Sequence, residues 1–299
     1  MLERLVRLAH ILAGAALFVR LGGMGRDWLP SAPVLAAAVV GLLLASLLLE
    51  RRTGAAGGAG RAWRGLLERH GFAVGLAALG ALALLVRLPG IAGDLGHVPL
   101  DIDEHRLAAN VRRFFVTGEI GHSTVEHYPG VLFWVLTGAS LLAYLWSLME
   151  GTVHGIRDMP VESFVLAGRV TNTGIAAATV IMTGLLGREL SGRAAGLLAA
   201  ALVAVAPLSV QTTTVLRNDP SQALLGCAAV YAALVAWTRG GHSRAAAAGL
   251  LAGVATGIKY TSVFALLPAV LAPALRGPAA SRAARTGLAL GAFTLAVVV

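Results

Sequence analysis

Residues 72–88 of the chain read FAVGLAALGALALLVRL, and the stretch PLDIDEHRLAAN follows at 99–110. The first stretch is almost wholly apolar, and as a helix of 17 residues it would be about 26 Å long, close to the thickness of the hydrocarbon core. The second stretch brings the carboxylates Asp101, Asp103 and Glu104 directly after it. Together the two stretches predict a transmembrane helix followed by a charged cluster at one membrane surface.

The rest of the chain has the same apolar character. Of its 299 residues, 57% are hydrophobic and 13% charged, and the mean hydropathy is +0.77. A soluble domain carries about 25% charged residues. This composition excludes disordered and collagen-like chains, and the single cysteine, Cys227, excludes a disulfide framework. We therefore expect an all-α, polytopic transmembrane helix bundle.

The net charge of +9 indicates topology rather than a nucleic-acid partner. Basic loops between apolar spans lie on the cytoplasmic side, and the most basic loop is residues 50–71. Two apolar spans, 5–22 and 33–49, precede it. The segment 72–88 would then cross outward. We expect a first region, 1–71, that holds the two spans and the basic loop, and a second, 72–299, that holds the functional module.

One apolar segment is expected not to cross the membrane. If all later segments crossed, the basic loops around Arg188, Arg239 and Arg276 could not all be cytoplasmic. All three become cytoplasmic if 130–148 returns to the outer side as a juxtamembrane helix. The later segments are 130–148, 164–186, 194–212, 221–238, 246–258, 260–275 and 287–299.

This topology creates a long outer first loop, residues 89–163. It holds 9 of the 15 acidic residues and five of the eight histidines, so the function is expected there. The chain ends within an apolar run at Val299, which suggests a truncated piece of a longer protein.

The outer cluster at Asp103, Glu104 and Arg106 can support acid–base chemistry. A carboxylate there can take a proton from an acceptor hydroxyl. An arginine three residues later lies on the same helical face and can hold an anion beside it. The alternative is an amphipathic juxtamembrane helix whose charges are simply solvated.

A second polar group follows on the same side. Asp219 precedes Pro220, a pattern typical of a helix cap, and we favour capping as part of its role. Arg169 and Arg217 are expected to snorkel to the surface. Lys259 falls at the outer turn of two short, glycine-containing apolar segments. It could snorkel as well, or neutralise a lipid phosphate, and the convergence of three bases on one face favours the phosphate.

A metal site is the weaker interpretation of the loop before residue 130. Two histidines and two glutamates lie close together there, at Glu119, His122, Glu126 and His127, yet their spacing matches no zinc signature. A polar loop that leads into an interfacial helix is favoured. Phosphate-binding glycine loops and serine nucleophile motifs are not visible.

The order and sidedness of these motifs resemble the membrane glycosyltransferases with the C-type fold. The similarity is to the family 39 type, which includes protein mannosyltransferases and the lipid A aminoarabinose transferases, and it runs from about 72 to 275. The second proline of the family's Lys/His-Pro-Pro motif is missing here. The matching residues are Asp103-Glu104-His105-Arg106, His127-Tyr128-Pro129, Arg169, Arg217-Asn218-Asp219 and Gly253 to Lys259.

The resemblance implies transfer of a sugar, with inversion, from a polyprenyl-phosphate donor to a lipid, glycan or protein acceptor at the outer face of the plasma or inner membrane. It implies a general base at Asp103 and a neighbour in the acceptor site at Glu104. It leaves dependence on a divalent metal open. The residues it implies for the phosphate and the substrate cavity are Arg106, His127, Arg217, Asp219 and Lys259.

Two other functions stay open at this point. In a transporter or flippase subunit, Arg169 and Lys259 would pair with acidic residues along a translocation path, although the two corresponding halves typical of transporters are not visible. In a membrane assembly subunit without activity, the acidic loop would bind a partner.

Overall fold

The computed structural model describes residues 58–92, 95, 102–120, 130–276 and 278–298. The contacts divide the chain into two units, residues 1–75 and 76–299, and the second unit contains the candidate site. The predicted spans 5–22 and 33–49 lie outside the described residues, as do Asp101 and His127. The first helix begins at Gly58, inside the segment predicted to be the basic loop, because arginine, alanine and leucine are strong helix formers.

All regular structure in the described residues is helical, which confirms the predicted all-α bundle. Short 3₁₀ turns at Ile156–Asp158 and Tyr260–Ala265 complete it. The helices are α1 Gly58–Ile91, α2 Ile102–Thr117, α3 Val131–Met149, α4 Val161–Ser191, α5 Arg193–Val205, α6 Pro207–Thr213, α7 Asp219–Arg239, α8 His242–Ile258, α9 Leu266–Leu275 and α10 Ala279–Val298.

Four of these helices are long and apolar enough to cross a membrane: the part of α1 from His70, α3, α4 and α7. A fifth span would consist of α5 and α6, which meet at an angle of 58°. The segment predicted as one span at 194–212 is therefore a broken helix. The break occurs because Pro207 has no N–H and disfavours helical geometry at Ala206, whose φ and ψ are −58° and 124°.

By its length and composition α3 could cross a membrane, so its return to the outer side stays a prediction. Leu132 and Phe133 near its start belong to an apolar cluster that includes Phe164 near the beginning of α4. Tyr144 in the second half of α3 packs against the same cluster.

Close contacts hold α8 against α10. Gly249 of α8 lies against the backbone of Ala289 in α10, and Gly253 lies against Phe293. A Cβ atom at either glycine would collide with the α10 backbone. Small residues at four-residue spacing allow two membrane helices to approach this closely.

Candidate active site

A buried ion pair between Glu104 and Arg169 joins α2 to α4. Arg169 Nε lies 2.7 Å from Glu104 Oε1 and Nη2 lies 2.8 Å from Oε2, the paired geometry that a guanidinium and a carboxylate favour. Arg169 Nη1 also donates to the carbonyl of Ile91 at 3.0 Å. Both side chains are 1% exposed. The pair therefore ties together the end of α1, the start of α2 and α4.

The same carboxylate binds the segment that leads to α7. The backbone N–H of Leu216 donates to Glu104 Oε1 at 2.6 Å. Both oxygens of Glu104 are thus occupied by protein donors. The resemblance implies that Glu104 lines an acceptor site. In the structure, α2 instead turns Glu104 inward with Leu107 and Val111.

Asp103 occupies a different face of α2 from Glu104. Consecutive residues of a helix point about 100° apart, so the two carboxylates diverge although they are adjacent. Asp103 is partly exposed, and His105 and Arg106 are exposed. Of the two carboxylates in the first turn of α2, Asp103 is therefore the more exposed.

The expectation that Arg169 snorkels to the membrane surface is wrong. Its guanidinium is buried in the protein and bonded to Glu104. The physical reason is that a charge within a membrane bundle tends to face the interior and pair with an opposite charge, here in two parallel hydrogen bonds. In the sequence, 65 positions separate the two residues, which is why local patterns did not reveal the pair.

Asn172 of α4 fixes the segment before α7 from a second side. Its Nδ2 donates to the carbonyls of Val215 at 2.8 Å and Arg217 at 3.0 Å. One turn earlier, Gly168 leaves room for the Leu216 side chain, since a Cβ there would lie 2.6 Å from Leu216 Cδ2. Residues 215–217 are thus held by α2 and α4 together.

Asp219 and Lys259 meet at the beginning of α7. Lys259 Nζ lies 2.6 Å from Asp219 Oδ1, and the side chains are 32% and 43% exposed. A second bond joins the same two segments, from Gln222 Nε2 to Thr261 Oγ1 at 2.9 Å. The structure thus brings two of the predicted substrate residues into contact at a surface that solvent reaches.

The predicted cap is shifted by one residue. Asn218 is the N-cap of α7, and Asp219 is the first helical residue. The Asn218 side chain makes no capping hydrogen bond. Asp219 still places a negative charge in the first turn, where the helix dipole favours it.

Several buried polar atoms next to this ion pair have no hydrogen-bond partner. They are both side-chain atoms of Asn218 and the hydroxyls of Ser221 and Ser262. These residues are 4%, 4% and 6% exposed. The N–H of Ser262 donates to the carbonyl of Lys259 at 2.9 Å, which places it beside the lysine. Neither serine was predicted from the sequence, because isolated serines carry no motif, and Asn218 entered only as the middle residue of the Arg217-Asn218-Asp219 motif.

The chemistry of this donor set suits an anion. A helix N-terminus presents N–H groups and the positive end of the dipole. Here it is combined with an ammonium group and two hydroxyls. Among the described residues, no group of three or more His, Cys, Asp or Glu side chains is arranged to hold a metal. The loop with His122 and His127 lies outside them.

Comparison with known proteins supports the family resemblance in the second half of the chain. Residues 166–299 match the model of the dolichyl-phosphate-mannose-protein mannosyltransferase family. No curated protein matches the chain. The matched region contains Arg169, Asp219 and Lys259. It does not include α2, the helix that carries Asp103 and Glu104. From α4 to α10 the chain is therefore similar to a family of membrane glycosyltransferases with lipid-phosphate sugar donors.

Proposed function

We propose that this protein is an integral-membrane glycosyltransferase that moves a sugar from a polyprenyl-phosphate donor to an acceptor at the outer face. The observation that carries the proposal is the contact of Lys259 with Asp219 at the N-terminus of α7, which lies within the region similar to the mannosyltransferase family. The acceptor would be a lipid, a glycan or a protein, and the protein would act in the plasma or inner membrane.

In this proposal the donor phosphate binds at the start of α7. Lys259 and Arg217 would supply positive charge, and Ser221 and Ser262 would supply hydroxyl donors. The phosphate gains negative charge as the glycosidic bond breaks, so donors already oriented toward it stabilise the transition state. Asp219 would hold Lys259 in place until the phosphate takes over part of that contact. Arg106 would be a further phosphate contact on α2, and His127 one in the loop before α3.

Asp103 would be the general base. Its carboxylate would take the proton of the acceptor hydroxyl while that oxygen bonds to the anomeric carbon. The bond from this carbon to the phosphate oxygen would break on the opposite face, and its electron pair would leave with the phosphate. Attack opposite the leaving group inverts the anomeric carbon.

Glu104 would be a positioning residue rather than a second base. Both its oxygens accept hydrogen bonds from Arg169 and Leu216. Through these contacts it would hold the start of α2, with Asp103, against the segment that carries Arg217.

The charge distribution along α7 supports an outward-facing site. This helix of 21 residues begins at Asp219 and ends at Arg239. Arg239 binds Glu189 near the end of α4 at 2.7 Å, and the basic residues Arg188, Arg193 and Arg244 lie near the same end in the sequence. Basic segments favour the cytoplasm. The Lys259 end of the bundle would then face outward.

A transporter or flippase remains the second candidate, because Arg169 and Lys259 both pair with acidic residues, as that function requires. The two side chains of the Arg169 pair are each 1% exposed. A translocation path would need its charges to be reached from water, which favours the transferase.

The test is transfer of radiolabelled sugar from a panel of polyprenyl-phosphate donors to membrane acceptors by the full-length protein. An Asp103→Asn variant keeps the shape of the side chain and removes the base. Transfer should fall by about a hundredfold or more. The matched control is Asp158→Asn, an exposed aspartate in the turn before α4, and it should leave transfer unchanged.

Unchanged transfer by Asp103→Asn would remove this residue from the mechanism. Absence of transfer by the wild type with every donor would favour the transporter, which flux measurements in proteoliposomes would then examine.

A further inference from the structure

A second buried arginine, Arg87, lies one turn before the end of α1 inside a candidate span. Its side chain is 0% exposed. Nε donates to Thr213 Oγ1 at 2.7 Å, and Nη2 donates to Ser209 Oγ at 2.9 Å. Nη1 donates to the carbonyls of Ala83 and Ala204, each at 2.9 Å. These four partners of the cation are all neutral.

Three of the four partners of Arg87 lie on the two sides of the break between α5 and α6. In an unbroken helix the N–H of Leu208 would bind the carbonyl of Ala204. The bend at Pro207 removes that bond, and the Arg87 guanidinium binds the carbonyl instead. The same guanidinium reaches Ser209 and Thr213 in α6. Arg87 therefore connects the two halves of the broken helix across the bend.

The bend sets the course of the segment that enters the candidate site. Thr213 ends α6, and the residues held by Glu104 and Asn172 follow immediately. Two buried arginines thus act on one short stretch. Arg87 fixes its beginning, and Arg169 fixes its middle through Glu104.

A role in stability alone explains this arrangement poorly. A buried charge is costly at membrane depth, and apolar residues of similar volume often stabilise a core as well or better. The planar fork of arginine can bind acceptors on several segments in one fixed geometry, which lysine cannot do. The hydrogen bonds of Arg87 therefore serve to orient the segments that they join rather than to stabilise the core.

We propose that Arg87 is a positioning residue that fixes the direction of α6 and thereby holds Arg217 and Asp219 in register with Asp103. The kinetic part of this proposal rests on the proposed transferase function. Its structural part does not, because the direction of α6 can be measured without activity.

The structural experiment uses the full chain with Cys227 replaced by serine. Spin labels are attached at His105→Cys on α2 and Leu208→Cys on α6, both exposed positions. Double electron–electron resonance should give one narrow distance distribution for the parent and a broader or shifted one for Arg87→Met. Arg87→Lys should fall between them.

The matched control is Arg285→Met. Arg285 is 7% exposed and also donates to backbone carbonyls, those of Ser281 and Arg276. It lies near Gly240, at the end of α7 opposite to Asp219. This variant should lower thermal stability and leave the distance distribution unchanged.

The kinetic experiment measures kcat and donor KM on monodisperse protein. In Arg87→Met, kcat should fall by about tenfold to a hundredfold, because small misplacements of reacting groups cost this much. Donor KM should rise as well, since Arg217 and Ser221 of the proposed phosphate site lie on the segment that follows α6. Arg87→Lys should recover part of kcat, and Arg285→Met should match the wild type.

The proposal is overturned if Arg87→Met keeps both the distance distribution and kcat, or if Arg285→Met changes them equally. A changed distance between the two spin labels with an unchanged kcat also overturns it, since the position of Arg217 and Asp219 relative to Asp103 would then not affect the reaction. Absence of transfer by the wild type would refute the transferase function alone, and the distances would still decide the structural part. If Arg87→Met does not fold, the same measurements are made on Ser209→Ala and Thr213→Val. Each of these variants removes one acceptor of the Arg87 guanidinium.

Discussion

Lys259 Nζ lies 2.6 Å from Asp219 Oδ1 across 40 positions of the sequence. The contact holds the ammonium group at the N-terminus of α7, where the helix dipole already attracts anions. The carboxylate limits this attraction in the absence of substrate. A dianionic phosphate monoester or a phosphodiester would therefore compete with Asp219 for the same cation, and this competition leads to the first prediction.

Replacing Lys259 by methionine should weaken donor binding. The variant keeps most of the length of the side chain and removes the charge, and a charge-assisted hydrogen bond contributes about 1.5–3 kcal/mol. We expect donor KM to rise by about tenfold to a hundredfold, measured by steady-state transfer. The control, Arg239→Met, removes a half-exposed cation at the other end of α7 and should leave KM unchanged. An equal effect of both variants would contradict a specific phosphate contact.

Breaking the buried pair should destabilise the fold. Glu104→Gln leaves the Arg169 guanidinium without its charged partner, at an expected cost of about 3–5 kcal/mol. Thermal unfolding in detergent would measure the change. Glu119→Gln breaks an exposed pair with Arg113, and this control should cost less than about 1 kcal/mol. Similar losses in the two variants would show that the Glu104 pair is not buried in the working protein.

Adding a methyl group at Gly168 should displace the segment that enters the site. In Gly168→Ala the new Cβ would lie 2.6 Å from Leu216 Cδ2, and such overpacking costs about 1–3 kcal/mol. Gly174→Ala lies on the same helix with no atom within 4 Å of the new Cβ, so it should be neutral or stabilising. Gly168→Ala should have the lower unfolding temperature and the higher donor KM of the two variants. Equal unfolding temperatures would contradict the packing of Leu216 against Gly168.

Removing the unpartnered hydroxyls should lower affinity for the lipid phosphate with little effect on folding. Ser221→Ala and Ser262→Ala each remove one donor that has no protein partner. A lost bond to a charged group corresponds to about tenfold in affinity. Binding of polyprenyl phosphate, followed by intrinsic fluorescence, measures the change.

Ser281→Ala provides the control, because its hydroxyl is already bonded to the Pro278 carbonyl at 3.0 Å. It should leave affinity unchanged. Unaltered affinity in both Ser221→Ala and Ser262→Ala would place the phosphate elsewhere.

The helices and their order followed from hydropathy because apolar runs of membrane length have few alternatives. The contact between Asp219 and Lys259 is consistent with the expected sidedness, since both residues were assigned to outer turns. Asp219 also lies one position inside α7 rather than at its cap. A shift of one residue is within the usual uncertainty of helix boundaries.

The buried polar network could not be predicted from the sequence. Which face of α2 is buried depends on its packing against α4, so the inward position of Glu104 could not be read from its neighbours. The break at Pro207 had a visible signal in the proline itself. Its stabilisation by Arg87, which lies 117 positions from Ala204, had none.

The close contacts of Gly249 and Gly253 with α10 give the candidate site one side that the backbone itself holds. A Cβ atom at either glycine would collide with the α10 backbone, so α8 lies this close to α10 only while both positions are glycine. Lys259 follows directly on α8. We therefore expect α8 and α10 to move as one body if the site opens to admit a long lipid donor, with Lys259 kept in a constant position relative to α10.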